Sequence, residues 1–396
     1  MQSFAAPCDN DCAKFMAAFG LQSPRQKLAD LEPTLGSATV AIVACAGVSL
    51  GGAQIRCLET ARALSARNIP ARCLADCSQE TLRELSKHHF RSIIFIRNLP
   101  RSMHGLQMLR GAACSLLLDT LDLSSIWHKN SCSDRKMLQL LDGAIANNRV
   151  SWARIAGDCP ELARKPVFLI EHFHSATRRV SNGSRWGASR ILLSGAISRS
   201  PRALLVQEHR VHGSVGFCRD IKASLPAGVA FDCYPLWGGF AAPKNRERFF
   251  REQLNLTKQA VRSIGAQHMG VGAMFTAVYA KYDLLIQWLP SNSSAQRLTN
   301  ALASGVPVIA QRSPAFEDAY GGNPDVLLAR GLAELRTQSY SLEHSEAFRR
   351  RVSDAGVAAA SRFAPDLIIA QYEKAMAAAS AARVEQSAAI RRHCNT

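Results

Sequence analysis

The chain has 396 residues, of which 47% are hydrophobic and 20% are charged, a composition that allows a large buried core and excludes a wholly disordered chain. The formal net charge of +17 favours an anionic partner, which is a nucleic acid, an acidic membrane face or a phosphorylated small molecule. The 12 Cys are too sparse for a disulfide scaffold, and no apolar run is long enough to predict a membrane-spanning helix. Because the first residues also lack the pattern of a secretory signal, we expect a cytoplasmic protein.

The first half of the chain alternates between strand and helix patterns. Residues 1–36 carry no strong hydrophobic period and are interpreted as an N-terminal leader, with one short helix at 21–31. The predicted strands are 39–46, 71–75, 92–97, 114–119, 143–147 and 167–171. The helical patterns between them are 54–66, 79–88, 103–111 and 135–141. Because these strands are apolar almost throughout, we expect both faces of their sheet to be covered.

The second half repeats this alternation after a polar, basic stretch at 175–189, which is interpreted as a linker or an exposed loop. The predicted strands are 190–195, 215–217, 230–234, 284–288, 306–310 and 325–328, and the predicted helices are 246–264, 295–304 and 341–392, the last interrupted near Pro365. The sequence therefore predicts an α/β protein with two Rossmann-like, doubly wound parallel-sheet domains facing a cleft. Their bounds are 37–180 and 181–365, and a C-terminal helix at 366–396 crosses back to the first domain.

A turn with two glycines, Gly51 and Gly52, joins the first strand to the first helix. Small residues there allow a ligand to approach the backbone, and the following helix N-terminus favours an anion. The spacing does not fit G-x-G-x-x-G, and Ala53 and Gln54 stand where a P-loop has Lys and Ser or Thr. A turn that contacts a ligand and an ordinary strand-to-helix turn both remain open.

A polar turn at 289–294 leads into the helix predicted at 295–304, which Gly305 ends. Backbone amides near Ser293 and Ser294 suit a diphosphate. Arg297 and Asn300 lie three residues apart on nearly one helix face, where they suit a phosphate and a sugar hydroxyl. The alternative is an ordinary capped helix with a solvated arginine.

Polar side chains also stand where strands of the first half end. His172 follows one strand and is suited to act as a general base or to hydrogen-bond a phosphate or hydroxyl. His172 and His174 share a face of an extended chain, but no third ligand is evident, so no metal site is expected. Asp119 ends another strand with Asp122 nearby and is a candidate base or acceptor ligand. Packed histidines and local loop hydrogen bonds are the alternatives.

Several arginines are candidates for contacts with anions. Arg199 and Arg202 follow the first strand of the second half, where they could neutralise a diphosphate or lie on the surface. The basic runs at 178–179 and 349–351 are either solvated faces or contacts with an anionic membrane. Nucleic acid is not an expected partner, because finger, RRM and KH patterns are missing and the aromatic residues, 7% of the chain, are not interleaved with the basic runs.

These stretches carry a family resemblance over residues 38–380. Residues 49–54 and the helix that follows resemble the Gly-Gly turn and first helix of GT-B glycosyltransferases, above all the large retaining family 4 within the family 1-like group. Residues 279–290 resemble the family's approach to the donor site, and 300–310, the most specific match, resemble the stretch after it. Family 4 carries two glutamates eight residues apart in this segment, and Asn292 and Asn300 stand at the matching positions.

The resemblance implies transfer of a sugar from a nucleoside-diphosphate sugar to an acceptor hydroxyl of a glycan or a lipid-linked glycan. It implies no metal and no cofactor besides the nucleotide sugar as co-substrate, and peripheral contact with an anionic membrane would bring the enzyme to lipid-linked acceptors. The second domain would hold the donor through Arg199, Arg202, Asn292, Ser293, Ser294, Arg297 and Asn300. The first would hold the acceptor through Gly51, Gly52, Asp119 and His172, of which the last two are the catalytic candidates.

Two alternatives to an active glycosyltransferase follow from the same residues. Because Asn lacks the charge and proton-transfer capacity of Glu, Asn292 and Asn300 are also compatible with a catalytically inactive relative that binds a sugar nucleotide or serves as a scaffold. The basic composition leaves a nucleic-acid-binding protein as the third hypothesis.

Overall fold

A computed structural model of the chain contains two six-stranded parallel sheets, one formed by each half of the sequence. The structure describes residues 38–44, 55–74, 77–97, 99–100, 102–112, 114–120, 132–174, 190–194, 220–226, 230–234, 267–268, 279, 282–288 and 295–394. The predicted leader, the stretch at 175–189, the strand at 215–217 and the helix at 246–264 lie outside the described residues.

The first sheet has the strand order β2-β1-β3-β4-β5-β6. Its strands are β1 Val40–Val43, β2 Ala71–Leu74, β3 Ser92–Ile96, β4 Ser115–Asp119, β5 Gly143–Ala146 and β6 Val167–Leu169. A π-helical turn, Ile55–Glu59, precedes the helices α1 Thr60–Ala66, α2 Gln79–Lys87, α3 Met103–Gly111, α4 Cys132–Gln139, α5 Arg149–Asp158 and α6 Pro160–Ala163. Each strand lies within the range predicted from the sequence, whereas α5 and α6 were not predicted.

The second sheet has the order β12-β11-β10-β7-β8-β9. Its strands are β7 Arg190–Ser194, β8 Ala230–Tyr234, β9 Gln267–His268, β10 Leu284–Gln287, β11 Val308–Gln311 and β12 Leu327–Ala329. The helices α7 Gln296–Ala303 and α8 Pro314–Tyr320 accompany β10, β11 and β12. Parallel pairing with crossover connections in both sheets confirms the predicted α/β, doubly wound class.

Both faces of the first sheet are buried, as the apolar strands predict. Along β1, Val40 and Ile42 pack into one hydrophobic cluster, while Ala41 and Val43 pack into another on the opposite face. The alternation follows from the two-residue period of a strand. The first cluster also contains residues of the second half and of the last helix, so apolar contacts connect the two halves.

The chain ends in three helices, α9 Leu332–His344, α10 Glu346–Ala360 and α11 Pro365–Cys394. The prediction of unbroken helix from 341 to Pro365 was wrong, because Ser345 is extended and its side chain caps α10 by accepting a hydrogen bond from the amide of Phe348. The predicted interruption at Pro365 is present, and α11 then contacts α1 and β4 of the first half. Among the helices of the described residues, none is both long and apolar enough to span a lipid bilayer.

Gly305 ends α7, as predicted, in the left-handed region with a φ of 73°. A side chain is strained in that conformation, so we expect Gly305→Ala to lower the free energy of unfolding by about 1 kcal/mol. Gly157 within α5 is the control, because no atom lies within 4 Å of the position of an added Cβ. There Gly157→Ala should raise stability by about 0.5 kcal/mol. Urea denaturation measures the free energy of unfolding of both variants. Equal changes in the same direction would contradict the role of the left-handed conformation at Gly305.

Candidate functional site

The carboxyl ends of β4, β5 and β6 meet around one buried arginine, Arg56, which lies in the π-helical turn and is 1% exposed. Its Nε donates a hydrogen bond to Nδ1 of His172 over 3.1 Å. Its Nη1 forms an ion pair with the carboxylate of Asp119, whose Oδ2 is 3.2 Å away. The two residues predicted to be catalytic, Asp119 and His172, therefore lie on the same guanidinium, and both are buried.

The remaining hydrogens of Arg56 reach three further partners. They are donated to the hydroxyl of Tyr372 in α11, to Oδ1 of Asn147 after β5, and to the carbonyl of Ile170 after β6. Together with the hydrogen bond to His172 and the ion pair with Asp119, these contacts engage all three nitrogens of the guanidinium. Arg56 thus fastens the last helix to the carboxyl edge of the first sheet.

The charges in this cluster support each other. Burial by itself lowers the pKa of Arg56, but the neighbouring Asp119 and Tyr372 more than compensate, so the net shift of its pKa is upward. Burial raises the pKa of the Tyr372 hydroxyl, which therefore stays protonated. This hydroxyl donates a hydrogen bond to Oδ2 of Asp119 over 2.9 Å. The result is a buried ion pair in which both members are also hydrogen-bonded.

The imidazole of His172 is held neutral. Burial, and after it the positive charge of Arg56, places the pKa of His172 well below its ordinary value. The amide of His172 donates to Oε1 of Glu171 over 3.0 Å, which fixes the backbone beside the ring.

The depressed pKa of His172 predicts how stability depends on pH. In the unfolded chain a histidine titrates near pH 6.5, so between that pH and the lower pKa of the folded state only the unfolded chain takes up the proton. Stability should therefore fall as the pH drops below about 6.5, with His172 contributing up to about 1.4 kcal/mol per pH unit. Denaturation curves between pH 8 and pH 5 should show a shallower decline for His172→Gln than for the wild type. Parallel curves would contradict the prediction.

Glu171 connects the two halves of the chain at this edge. Its Oε2 accepts hydrogen bonds from Nδ2 of Asn148 and from the amide of Ala295, at 3.4 and 3.3 Å. Ala295 is the N-cap of α7, so a carboxylate of the first half contacts the start of the helix that carries the predicted donor residues. Glu171 was not among the predicted site residues, although an acidic residue at the end of an apolar strand pattern was a usable signal.

The predicted donor residues are only partly within the described residues. Those outside are Arg199, Arg202, Asn292, Ser293 and Ser294, and the predicted acceptor residues Gly51 and Gly52 also lie outside the described residues. Arg297 is the second residue of α7, and its backbone alone is described. Asn300 lies on the same helix and is fully buried, so its contact with a sugar hydroxyl stays a prediction.

His174, the other strand-end histidine, is held by a residue from the second half of the chain. The amide of His174 donates to the carbonyl of Phe363 over 3.1 Å, and burial lowers the pKa of its half-buried ring. In the part of the chain that the structure describes, no three His, Cys, Asp or Glu side chains form a group that could hold a metal ion.

The arginines of the run at 349–351 are engaged with neighbouring acceptors. Arg350 pairs with Glu346 and Arg351 with Asp325, each at 3.0 Å, while Arg349 donates to the carbonyl of Glu343 over 2.8 Å. Contact of this run with an anionic membrane stays a prediction.

Each sheet has a switch point, where the strand order reverses. In the second sheet the chain proceeds from β7 to one side and returns to the other side at β10, so the order reverses between these two paired strands. In the first sheet the order reverses between β1 and β3. Ligands of doubly wound sheets bind beyond the carboxyl ends of the strands at such points. Gly51 and Gly52 follow β1, and the predicted donor residues follow β7 and β10.

The sequence matches no model of a known protein family and no curated protein. Solved structures do share the fold over nearly their whole length. HepE from Anabaena in complex with UDP-glucose aligns with a TM-score of 0.58 and 14% identity, covering 85% of this chain and 99% of HepE. Sucrose-phosphate synthase from Thermosynechococcus elongatus gives a TM-score of 0.56 and 12% identity, covering 85% of this chain and 98% of the synthase. A glycosyltransferase from Rickettsia africae gives a TM-score of 0.54 and 12% identity, covering 86% of this chain and 98% of that enzyme. The chain therefore has the GT-B fold, with two Rossmann-like domains.

Proposed function

We propose that the protein is a glycosyltransferase that moves a sugar from a nucleoside-diphosphate sugar to an acceptor hydroxyl of a glycan or a lipid-linked glycan. The observation that carries this proposal is the likeness to HepE, a structure that holds UDP-glucose and aligns over 99% of its length. Two independent features of this chain agree with it: the switch points of its sheets and the strand-end positions of the polar residues selected from the sequence.

The donor side of the proposed site lies beyond β7 and β10. Ser194 and Gln287, the last residues of these strands, are paired in register, so the two strands end side by side at the same edge of the sheet. One segment leads to Arg199 and Arg202, and the other leads to the start of α7 and to Arg297. Arginines and helix amides stabilise a leaving diphosphate because they place positive charge where negative charge develops.

The acceptor side is the carboxyl edge of the first sheet, with the Gly51-Gly52 turn, Asp119 and His172. Catalysis then consists chiefly of positioning and stabilisation of the diphosphate, without a resident metal or other cofactor. In this proposal Asn292 and Asn300 occupy the places of the two family 4 glutamates and contact the donor by hydrogen bonds instead of charge. Membrane contact by basic residues would serve a lipid-linked acceptor.

A second candidate function is binding of a sugar nucleotide without transfer. The specific observation in its favour is the pair Asn292 and Asn300, because an amide cannot accept a proton as a carboxylate does. Assays of sugar transfer and of donor hydrolysis separate the two functions. Donor binding with neither reaction would favour the second candidate.

A thermal-shift screen with UDP-, GDP- and ADP-sugars tests the donor site. We expect at least one sugar nucleotide to raise the melting temperature, because a ligand at 100 times its Kd stabilises the folded state by about 2.7 kcal/mol. Arg297→Ala should weaken that affinity about tenfold through loss of a phosphate contact. Arg350→Ala on α10, whose partner is Glu346, is the control and should leave it unchanged. The donor site is refuted if no member of the panel shifts the wild type.

A further inference from the structure

The contact between Arg56 and His172 determines which nitrogen of the imidazole carries the proton. Arg56 Nε is a hydrogen-bond donor and lacks acceptor capacity, so Nδ1 of His172, 3.1 Å away, must offer its lone pair. A neutral imidazole has one N–H, and with Nδ1 accepting, that hydrogen is on Nε2. The two ring nitrogens point in divergent directions, so the Nε2 hydrogen faces away from Arg56.

The surroundings of His172 oppose a second proton on the ring. The charged neighbours are Arg56 in the π-helical turn, Asp119 at the end of β4 and Glu171 beside the ring, and the titratable Tyr372 faces the cluster from α11. Asp119 is engaged by Arg56 and Tyr372, and Glu171 accepts the amide hydrogen of His172. An imidazolium would lie directly against the guanidinium inside the protein, which is electrostatically unfavourable.

From this geometry we propose that Arg56 is a positioning residue that holds the imidazole of His172 neutral, with its hydrogen on Nε2. His172 then donates a hydrogen bond from Nε2 to an oxygen of the sugar nucleotide or of the acceptor, and it does not act as a general base. The identity of that oxygen rests on the proposed function, whereas the tautomer does not. Arg56 touches no substrate in this account and acts through the ring that it orients.

The consequence for the reaction concerns which residue takes the proton of the acceptor hydroxyl. A base needs a free lone pair, and in this tautomer the only lone pair in the plane of the ring is already bonded to Arg56. His172 therefore contributes by stabilising negative charge on an oxygen, as preorganised donors do in active sites.

Nitrogen NMR of the full-length protein labelled at its histidines tests the tautomer without any ligand. We expect the signals of His172, assigned by their loss in His172→Gln, to show a neutral ring protonated at Nε2 at pH 7 and still neutral at pH 5.5. Tyr372→Phe should preserve this state because it leaves the contact between Arg56 and His172 intact. Arg56→Met should release the preference, and the double variant Arg56→Met with Asp119→Asn serves the same purpose if the single variant does not fold. Protonation at Nδ1, or an imidazolium at pH 7, overturns the proposal.

Kinetics with the sugar nucleotide found in the thermal-shift screen test whether His172 acts as a hydrogen-bond donor through Nε2. The amide nitrogen of Gln can take the place of Nε2, whereas that of Asn can take only the place of Nδ1. We therefore expect His172→Gln to retain most of kcat/KM and His172→Asn to lose about tenfold or more. If both variants lose kcat/KM equally and the wild type has a bell-shaped pH profile, His172 acts as a general base and the proposal fails. If no sugar nucleotide binds, the proposed function fails, and the NMR result still decides the tautomer.

Discussion

Replacement of Arg56 by Met is expected to lower the free energy of unfolding by about 4 kcal/mol, the largest effect of any single substitution considered for this chain. The variant removes the guanidinium that pairs with the carboxylate of Asp119, which has no exposed surface. It also removes the donors that satisfy His172 and the side chain of Asn147. Loss of one member of a buried pair costs more than the pair itself contributes, because a desolvated charge remains.

A matched control joins the same two parts of the molecule. Arg67 at the end of α1 pairs with Glu373 of α11 over 2.6 Å, but both side chains are about one-third exposed. Water screens this pair, so Arg67→Met should cost less than about 1 kcal/mol. The double variant Arg56→Met with Asp119→Asn should recover part of the loss because the unpaired charge is gone. Equal effects of the two single arginine variants in guanidinium denaturation would contradict the proposed importance of burial.

Substitution of Asp142 by Asn is expected to lower stability by about 3 kcal/mol. Asp142 precedes β5 and is 4% exposed; its Oδ2 accepts the amide of Leu116 over 2.8 Å, and its Oδ1 pairs with Arg110. Burial and then the charge of Arg110 lower the pKa of Lys165 and of Arg383. Three cations therefore depend on one carboxylate, and its neutralisation leaves their repulsion unopposed.

Salt and a surface variant distinguish this explanation from general disruption. Because the penalty of Asp142→Asn is partly mutual repulsion of half-buried cations, it should shrink as the ionic strength rises from 0.05 to 1 M. Glu84→Gln breaks the exposed pair with Lys87 and should leave the melting temperature unchanged at every salt concentration. A penalty independent of salt would show that the lost contact with the amide of Leu116 dominates.

The sequence was sufficient to locate the strands of the first half and the class of the fold. Runs such as Ser115–Asp119 are apolar enough to mark a strand buried on both faces, and the two-residue alternation of β1 between two clusters follows from that pattern. The helix end at Gly305 was equally predictable, since a glycine after a helical pattern commonly adopts the left-handed conformation that ends a helix. The short helices α5 and α6 and the break at Ser345 were missed, because a capping serine in a helical composition gives little local signal.

The cluster around Arg56 was not predictable from the pattern. Arg56 precedes a helix of mixed polarity, where an arginine is ordinarily solvated, and its side-chain partners Asn147, His172 and Tyr372 lie 91 to 316 residues away. Asp119 and His172 were predictable as neighbours because each lies at the carboxyl end of a strand, and these ends share one edge of the sheet. The arginine between them has no such signal in the sequence.

What the sequence determined by itself is the periodicity: apolar runs that form parallel strands, the glycine that ends α7 and the polar residues that follow strand ends. These features depend on neighbours within a few positions, and local sterics and burial are enough to set them. The burial of Asp119 and the depressed pKa of His172 were decided by the tertiary structure alone, because burial and nearby charges are brought together from distant parts of the chain.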